Sequence, residues 1–266
     1  MSYAIELFKN EACEFYVLNV FNTTGRALER IALSRPNEKP FDLAQENSEK
    51  ELAKISQRLS FRDDFNGHEF VFLSKYGDLI DSIKDIVEKK DIELVVMGTK
   101  GSTDATATVF GSNAISAMEK VRNCPVLVVP PDMIYSDPKE IVFPTSFKTH
   151  YKRRELQYLI EVARLTNAPI RILHVVEGEE ELDETQLNYK QMLEEYFDGL
   201  DYSFHTIKDV KVQTALDCFV QSRDSGMITF INKKHTFFDN LFSRPLVKEL
   251  GYHTRVPVLA LHDFRN

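Results

Sequence analysis

Short apolar runs rich in Val, Ile, Leu and Phe alternate with segments of helical period along this whole chain, and that alternation restricts the fold more than any other feature. The runs in the first half are Phe15–Val20, Glu69–Leu73, Glu93–Met97 and Val126–Val129. Those in the second half are Glu140–Phe143, Ile170–Val175, Tyr202–Ile207, Met227–Ile231 and Val258–Leu261. Nearly continuous apolar strands suit a sheet covered on both faces, and helical crossovers between them make that sheet parallel. Leu52, Ile55 and Leu59 recur at helical spacing, as do Ile80, Ile83 and Val87, so Asp42–Ser60 and Asp78–Lys89 are expected to be amphipathic crossovers capped by Asp42 and Asp78. Helical patterns at His150–Thr166, Leu182–Phe197 and Val212–Arg223 continue the plan. The expected class is α/β, with doubly wound, Rossmann-like parallel sheets.

The plan is written twice. Phe110-Gly111 and Pro125-Val126-Leu127 recur as Phe242-Ser243 and Pro257-Val258-Leu259 at a single offset of 132 residues. A proline-marked connector, Pro130-Pro131-Asp132 to Pro138, separates the copies. Two domains are expected, at 1–132 and 139–266.

Composition narrows the function classes. A formal charge of −8 without a clustered basic stretch speaks against a nucleic-acid partner. No apolar run approaches the length of a spanning helix, and Met1–Glu6 has no basic region leading into an apolar core, so a cytoplasmic protein without membrane contact is expected. Cys13, Cys124 and Cys218 lie far apart beside apolar residues and read as reduced, buried thiols. The seven histidines show no spacing that would prearrange a metal, and no nucleophile elbow or Walker-type loop is present; neither metal ligands nor catalytic residues are assigned. His174, inside an apolar strand, reads as a core residue. The acidic run Glu177–Glu184 reads as a solvated loop and helix start.

One stretch carries chemistry. Met97 ends an apolar run at Gly98-Thr99-Lys100-Gly101, and after nine intervening residues comes Gly111-Ser112-Asn113 at the start of a helical segment. Glycine permits close backbone approach to a ligand, and free N–H groups at a helix start can wrap a phosphate. On this reading Ser112 caps a helix over Asn113–Val121. A plain turn between strand and helix is the alternative, and glycine spacing alone does not separate the two.

With the terminal run Pro125-Val126-Leu127-Val128-Val129-Pro130, the pattern at Gly98, Gly101, Gly111 and Ser112 resembles the universal stress protein family, here in a tandem form covering nearly the whole length. The resemblance implies a five-stranded parallel sheet per domain and ATP, with or without magnesium, at the carboxyl ends of the strands. It assigns Met97, Gly98, Gly101, Gly111, Ser112 and Asn113 to the nucleotide site, Lys100 as a phosphate counter-charge, and Val20 to the adenine through its backbone. It also implies that Val126–Val129 and Val258–Leu261 are edge strands pairing the two domains within one chain, and it leaves a homodimer of chains open.

The copies depart from that family pattern in opposite ways. Only fourteen residues precede Phe15, and Tyr3–Asn10 reads as the tail of a crossover helix, so the first copy is expected to lack its opening, central strand. The second copy keeps the segment as Val142-Phe143-Pro144-Thr145-Ser146-Phe147, with Ser146 where nucleotide-binding members have aspartate. Its loop replaces the glycines with Asn232-Lys233-Lys234-His235 and Ser243-Arg244 and reads as degenerate. The leading expectation is an ATP-binding stress-response regulator with at most weak ATPase activity. A nucleotide-free protein-interaction module is the alternative, and an ATP-dependent transferase is a third.

Overall fold

In a computed structural model of the chain, the described residues are 1–24, 35, 37–62, 67–99, 110–131, 133–176, 178, 181–232 and 255–262. The strands among them are β1 Glu14–Phe21, β2 Glu69–Tyr76, β3 Val95–Gly98, β4 Val126–Val129, β5 Ile141–Pro144, β6 Ile170–Val176, β7 Tyr202–Lys208, β8 Met227–Asn232 and β9 Val258–His262. The helices are α1 Ser2–Leu7, α2 Pro40–Ser60, α3 Leu79–Lys90, α4 Ser112–Lys120, α5 Arg153–Thr166, α6 Glu184–Tyr196 and α7 Val212–Arg223. The α/β class expected from the alternation is the one observed.

The chain divides into two compact units, Phe8–Lys90 and Met1–Leu7 with Asp91–Asn266. The first unit holds a two-stranded parallel sheet, β1-β2, in which Glu14 stands opposite Glu69 and Phe21 opposite Tyr76. In the second unit seven strands run in the order β3-β4-β9-β8-β5-β6-β7. Every described ladder is parallel except β4–β9, where Val126, Leu127 and Val128 oppose Ala260, Leu259 and Val258. That ladder is symmetric about Leu127 and Leu259, which are 132 positions apart in the chain.

The apolar runs are buried unevenly. All residues of β4, β5 and β9 are buried, as are most of β6 and β8, and Ile141, Phe143, Ile170, Ile172, Leu173, Leu156 and Leu159 are fully enclosed. Each such side chain contributes roughly 1.5–3 kcal/mol. By contrast β1, β2 and β3 are largely half-buried, with Val17 the only buried residue among them. This corrects the expectation that all the apolar runs are covered on both faces: among the described strands β1 and β2 have only each other for a neighbour, and β3 is the end strand of the seven-stranded sheet.

Asp42 and two of the cysteines also depart from expectation. Asp42 sits within the first turn of α2, because Pro40, with its fixed φ, occupies the first helical position and Lys39 precedes it without a side-chain cap. Asp78 does cap α3, its Oδ1 accepting from the Ile80 and Asp81 amides at 2.8 and 3.1 Å. Of the cysteines only Cys124 is buried, and burial pushes its thiol up to about 12; Cys13 is half-buried and Cys218 exposed. Cys218 follows from helical period, since α7 buries Ala215, Leu216, Phe219 and Val220 and turns Cys218 outward.

The amino ends of β5, β6 and β7 are tied by one carboxylate. Glu140, 4% exposed, accepts from Arg223 Nε and a terminal nitrogen at 2.8 and 2.7 Å, from Ser225 Oγ at 2.7 Å and from Arg171 Nε at 3.1 Å. Arg171 also donates to Asp201 and Ser203. Burial alone would raise the Glu140 pKa, but these donors outweigh it and hold the carboxyl below its ordinary range.

Candidate functional site

The chemistry expected of the glycine stretch falls at the junction of β3 and α4. Met97 is half-buried near the end of β3, and Gly98, the last residue of that strand, stands opposite Val129. The Thr99 N–H continues the ladder to the Val129 carbonyl at 3.0 Å, and the Thr99 carbonyl accepts the Gly111 N–H at 2.6 Å. These two bonds bring the ends of the intervening loop together at the carboxyl edge of β3. Lys100 and Gly101 lie within 100–109, outside the described residues, as does Asp104.

Helix α4 begins one residue earlier than expected. Gly111, in extended backbone at φ −65° and ψ 157°, is the N-cap residue, and Ser112 takes the first helical position. Gly111 has no side chain to cap with, so the first-turn amides of Ser112, Asn113 and Ala114 receive no side-chain cap. Ser112 and Asn113 are exposed and Ala114 is buried against the sheet. Since the Gly111 N–H is already bonded, Gly111 offers a ligand a bare Cα rather than a donor. Thr99, absent from the residues expected, is 5% exposed, and its Oγ1 has no hydrogen-bond partner among the described residues. The sequence signal was its place between Gly98 and Gly101, which marks it only as a loop residue.

Val20 lies on β1 opposite Lys75, in the unit Phe8–Lys90, whereas Met97, Gly98, Gly111, Ser112 and Asn113 belong to the other unit.

The carboxyl edge of β5 looks different. Thr145 Oγ1 accepts the Phe147 N–H at 3.1 Å and meets the Tyr151 hydroxyl at 3.2 Å, while Ser146 is 7% exposed and its carbonyl accepts from Gln186 Nε2 at 2.8 Å. Phe147, at φ 56°, packs its ring on His174 with centroids 4.9 Å apart. The His174 Nδ1 donates to the Thr145 carbonyl at 2.9 Å, and burial holds the imidazole below its ordinary range, so the core reading of His174 stands. The turn is filled by its own chain.

A further cluster was not anticipated. Arg122, just beyond α4, donates to the Asn232 carbonyl at 3.1 Å, and Asn232 Nδ2 donates to the Met118 carbonyl at 2.9 Å. His262, opposite Asn232, is fully buried with neither ring nitrogen hydrogen-bonded. Burial, with the Arg122 charge adding to it, pushes its imidazole down to about 3. These residues are 30 to 140 positions apart, so no local pattern could assemble them. The remainder of the second copy's loop, including Lys233, Lys234, His235, Ser243 and Arg244, lies outside the described residues. Among the described residues no group of His, Cys, Asp and Glu is placed to hold a metal, and no helix is long and apolar enough to cross a membrane.

The strand, glycine loop and helix of this junction fall within a match to the universal stress protein family over residues 1–130. The chain's first half belongs to the universal stress protein family. The fold extends the likeness over the whole chain. A universal stress protein from Archaeoglobus fulgidus superposes with a TM-score of 0.71 at 18% identity, covering 97% of this chain and 91% of that one. A putative universal stress protein from Pseudomonas aeruginosa gives 0.58 at 14% identity over 93% and 92%. A functionally unknown protein from the same organism gives 0.59 at 12% over 97% and 94%. No curated protein matches the sequence.

Proposed function

We propose that this universal stress protein binds an adenine nucleotide, ATP in particular, at the β3–α4 junction and acts as a nucleotide-dependent stress-response regulator rather than a dedicated catalyst. The observation that carries the reading is the start of α4, where the Thr99–Gly111 bond closes the loop and Ser112 and Asn113 present exposed, uncapped amides. Free amides and the positive end of the helix dipole favour a phosphate there. The buried Thr99 hydroxyl, still without a partner, adds a donor beside them. Gly98 and Gly111 keep side chains out of the approach, and Lys100 and Gly101 complete the reading from the sequence. Magnesium would be held by the phosphates, since the described residues supply no carboxylate set for it. Positioned donors without an activated nucleophile give affinity and not turnover.

Titration with Mg-ATP in a thermal-shift assay tests this. Binding stabilises the folded chain by RT ln(1 + [L]/Kd), about 2.7 kcal/mol at a hundredfold excess over Kd. A midpoint that does not move at millimolar nucleotide overturns the reading. The second reading, a nucleotide-free interaction module, draws on the β5 turn, where Ser146, Phe147, His174 and Gln186 pack together and leave that edge filled.

A further inference from the structure

Ser203 and His205 are alternate residues of β7 and share one of its faces, and the β6–β7 register sets Arg171 directly opposite Ser203. The three side chains meet. Arg171 Nη1 donates to Ser203 Oγ at 3.1 Å, and Ser203 Oγ stands 2.8 Å from His205 Nε2. The groups themselves fix the direction of that second bond. A guanidinium only donates, so Ser203 Oγ accepts from Arg171 and sends its one proton to Nε2; the ring is neutral and carries its own proton on Nδ1. The His205 ring is held edge to face against Phe219 of α7, with centroids 5.0 Å apart. Burial, with the charges of Arg223 and Arg171 adding to it and Glu140 opposing, keeps this imidazole below its ordinary range. At neutral pH it is therefore in the form that accepts a proton.

We propose that Ser203 is an activated nucleophile that takes the acyl group of small activated esters, with His205 as its general base and Arg171 stabilising the oxygen as it gives up its proton. A serine hydroxyl is a weak nucleophile until a base stands within hydrogen-bond reach, and His205 meets that condition. In the first step a bond forms between Oγ and the ester carbonyl carbon while the hydroxyl proton passes to Nε2. The bond from that carbon to the leaving oxygen then breaks, and the imidazolium returns its proton to the departing group. Water, giving its proton to the same nitrogen, then cleaves the acyl-serine to the free acid and restores the Ser203 hydroxyl. Arg171 is held for its part by the buried Glu140 carboxylate, which accepts its Nε at 3.1 Å, so Nη1 does not have to be ordered during the reaction. The position is within reach of solvent. β7 is an end strand of the seven-stranded sheet, Ser203 and His205 are half-buried, and Asp201, which also accepts from Arg171 Nη1, is 72% exposed.

The experiment mixes the full chain with p-nitrophenyl acetate, follows nitrophenolate release and locates acetyl groups by peptide mass spectrometry. Ser203→Ala gives the background from lysines and the amino terminus, and the difference from the wild-type chain is the Ser203-dependent rate. That rate is expected to be clearly measurable, with an acetyl group mapped to Ser203 when the reaction is quenched early. His205→Gln keeps an acceptor for the Ser203 hydroxyl but takes no proton, and it should slow the Ser203-dependent rate about a hundredfold, the low end of what a general base supplies. The wild-type rate should stay level from about pH 8 to about pH 6.5 and fall only below, once His205 is protonated, whereas lysine acetylation climbs steadily with pH. Three outcomes overturn the proposal: release from Ser203→Ala equal to wild type, acetyl groups on lysines with Ser203 unmodified at every quench time, or a His205→Gln chain that reacts as fast as the wild type.

Discussion

Leu18 and Leu173 occupy matching places on β1 and β6, each the fourth residue of a run that the sequence marks as a covered strand, and their surroundings differ sharply. Leu173 is 0% exposed between β5 and β7, with its carbonyl bonded to Thr145; Leu18 is half-buried on a strand with a single neighbour among the described residues. The same residue type in the same kind of run ends in two environments because burial of a sheet residue depends on how many strands flank it. Apolar sequence creates the demand for cover, and the number of neighbours decides whether it is met.

The largest test of that contrast replaces each leucine by alanine. Leu173→Ala is expected to cost about 2–5 kcal/mol by urea unfolding, and Leu18→Ala about 1 kcal/mol, because a half-exposed site leaves no closed cavity. Equal losses would show that β1 is as enclosed as β6. Next, Glu140→Gln removes the charge that gathers Arg171, Arg223 and Ser225 at the amino ends of β5–β7. The loss expected is roughly 2–3 kcal/mol, moderated because Arg223 is 37% exposed. A midpoint unchanged by the substitution would separate that network from the stability of the larger sheet.

A third effect depends on pH. His262 is neutral in the folded chain with its pKa pushed down to about 3, while in the unfolded chain it takes a proton near pH 6.5. Below that value the unfolded state binds the extra proton, so stability falls as pH drops from about 6.5 towards 3, by up to about 1.4 kcal/mol per pH unit. His174, also held low by burial, adds in the same direction. His262→Leu should flatten the slope between pH 6.5 and 5; an undiminished slope would place its origin elsewhere.

The smallest structural change has the sharpest functional readout. Gly111→Val is compatible with the extended backbone at that position and should cost no more than about 1 kcal/mol of stability. It should nevertheless abolish the Mg-ATP shift, since a branched side chain would stand at the start of α4. Retention of the shift would move the nucleotide away from the β3–α4 junction. Ser146→Asp, placed in the self-filled turn after β5, should create no second binding event by calorimetry.

Much of the architecture was legible because it is local. The period of apolar residues placed every described strand and most helices to within a few residues, as with Val126–Val129 and Val212–Arg223. Glycine spacing located the β3–α4 junction, and the offset of 132 brought out Leu127 and Leu259, which stand opposite one another in the antiparallel ladder. What a backbone group does once it is placed was less visible. Ser112 was expected to cap α4 and instead follows Gly111, whose own amide closes the loop on Thr99.

The sequence by itself determined where strands and helices form, since residue period and turn chemistry act over a few neighbouring positions. Only the tertiary structure decided which strands are enclosed, which amides remain to be bonded, and that Arg122, Asn232 and His262 meet. Those outcomes rest on contacts between segments far apart in the chain, and the free energy of such contacts is set by geometry that local pattern does not encode.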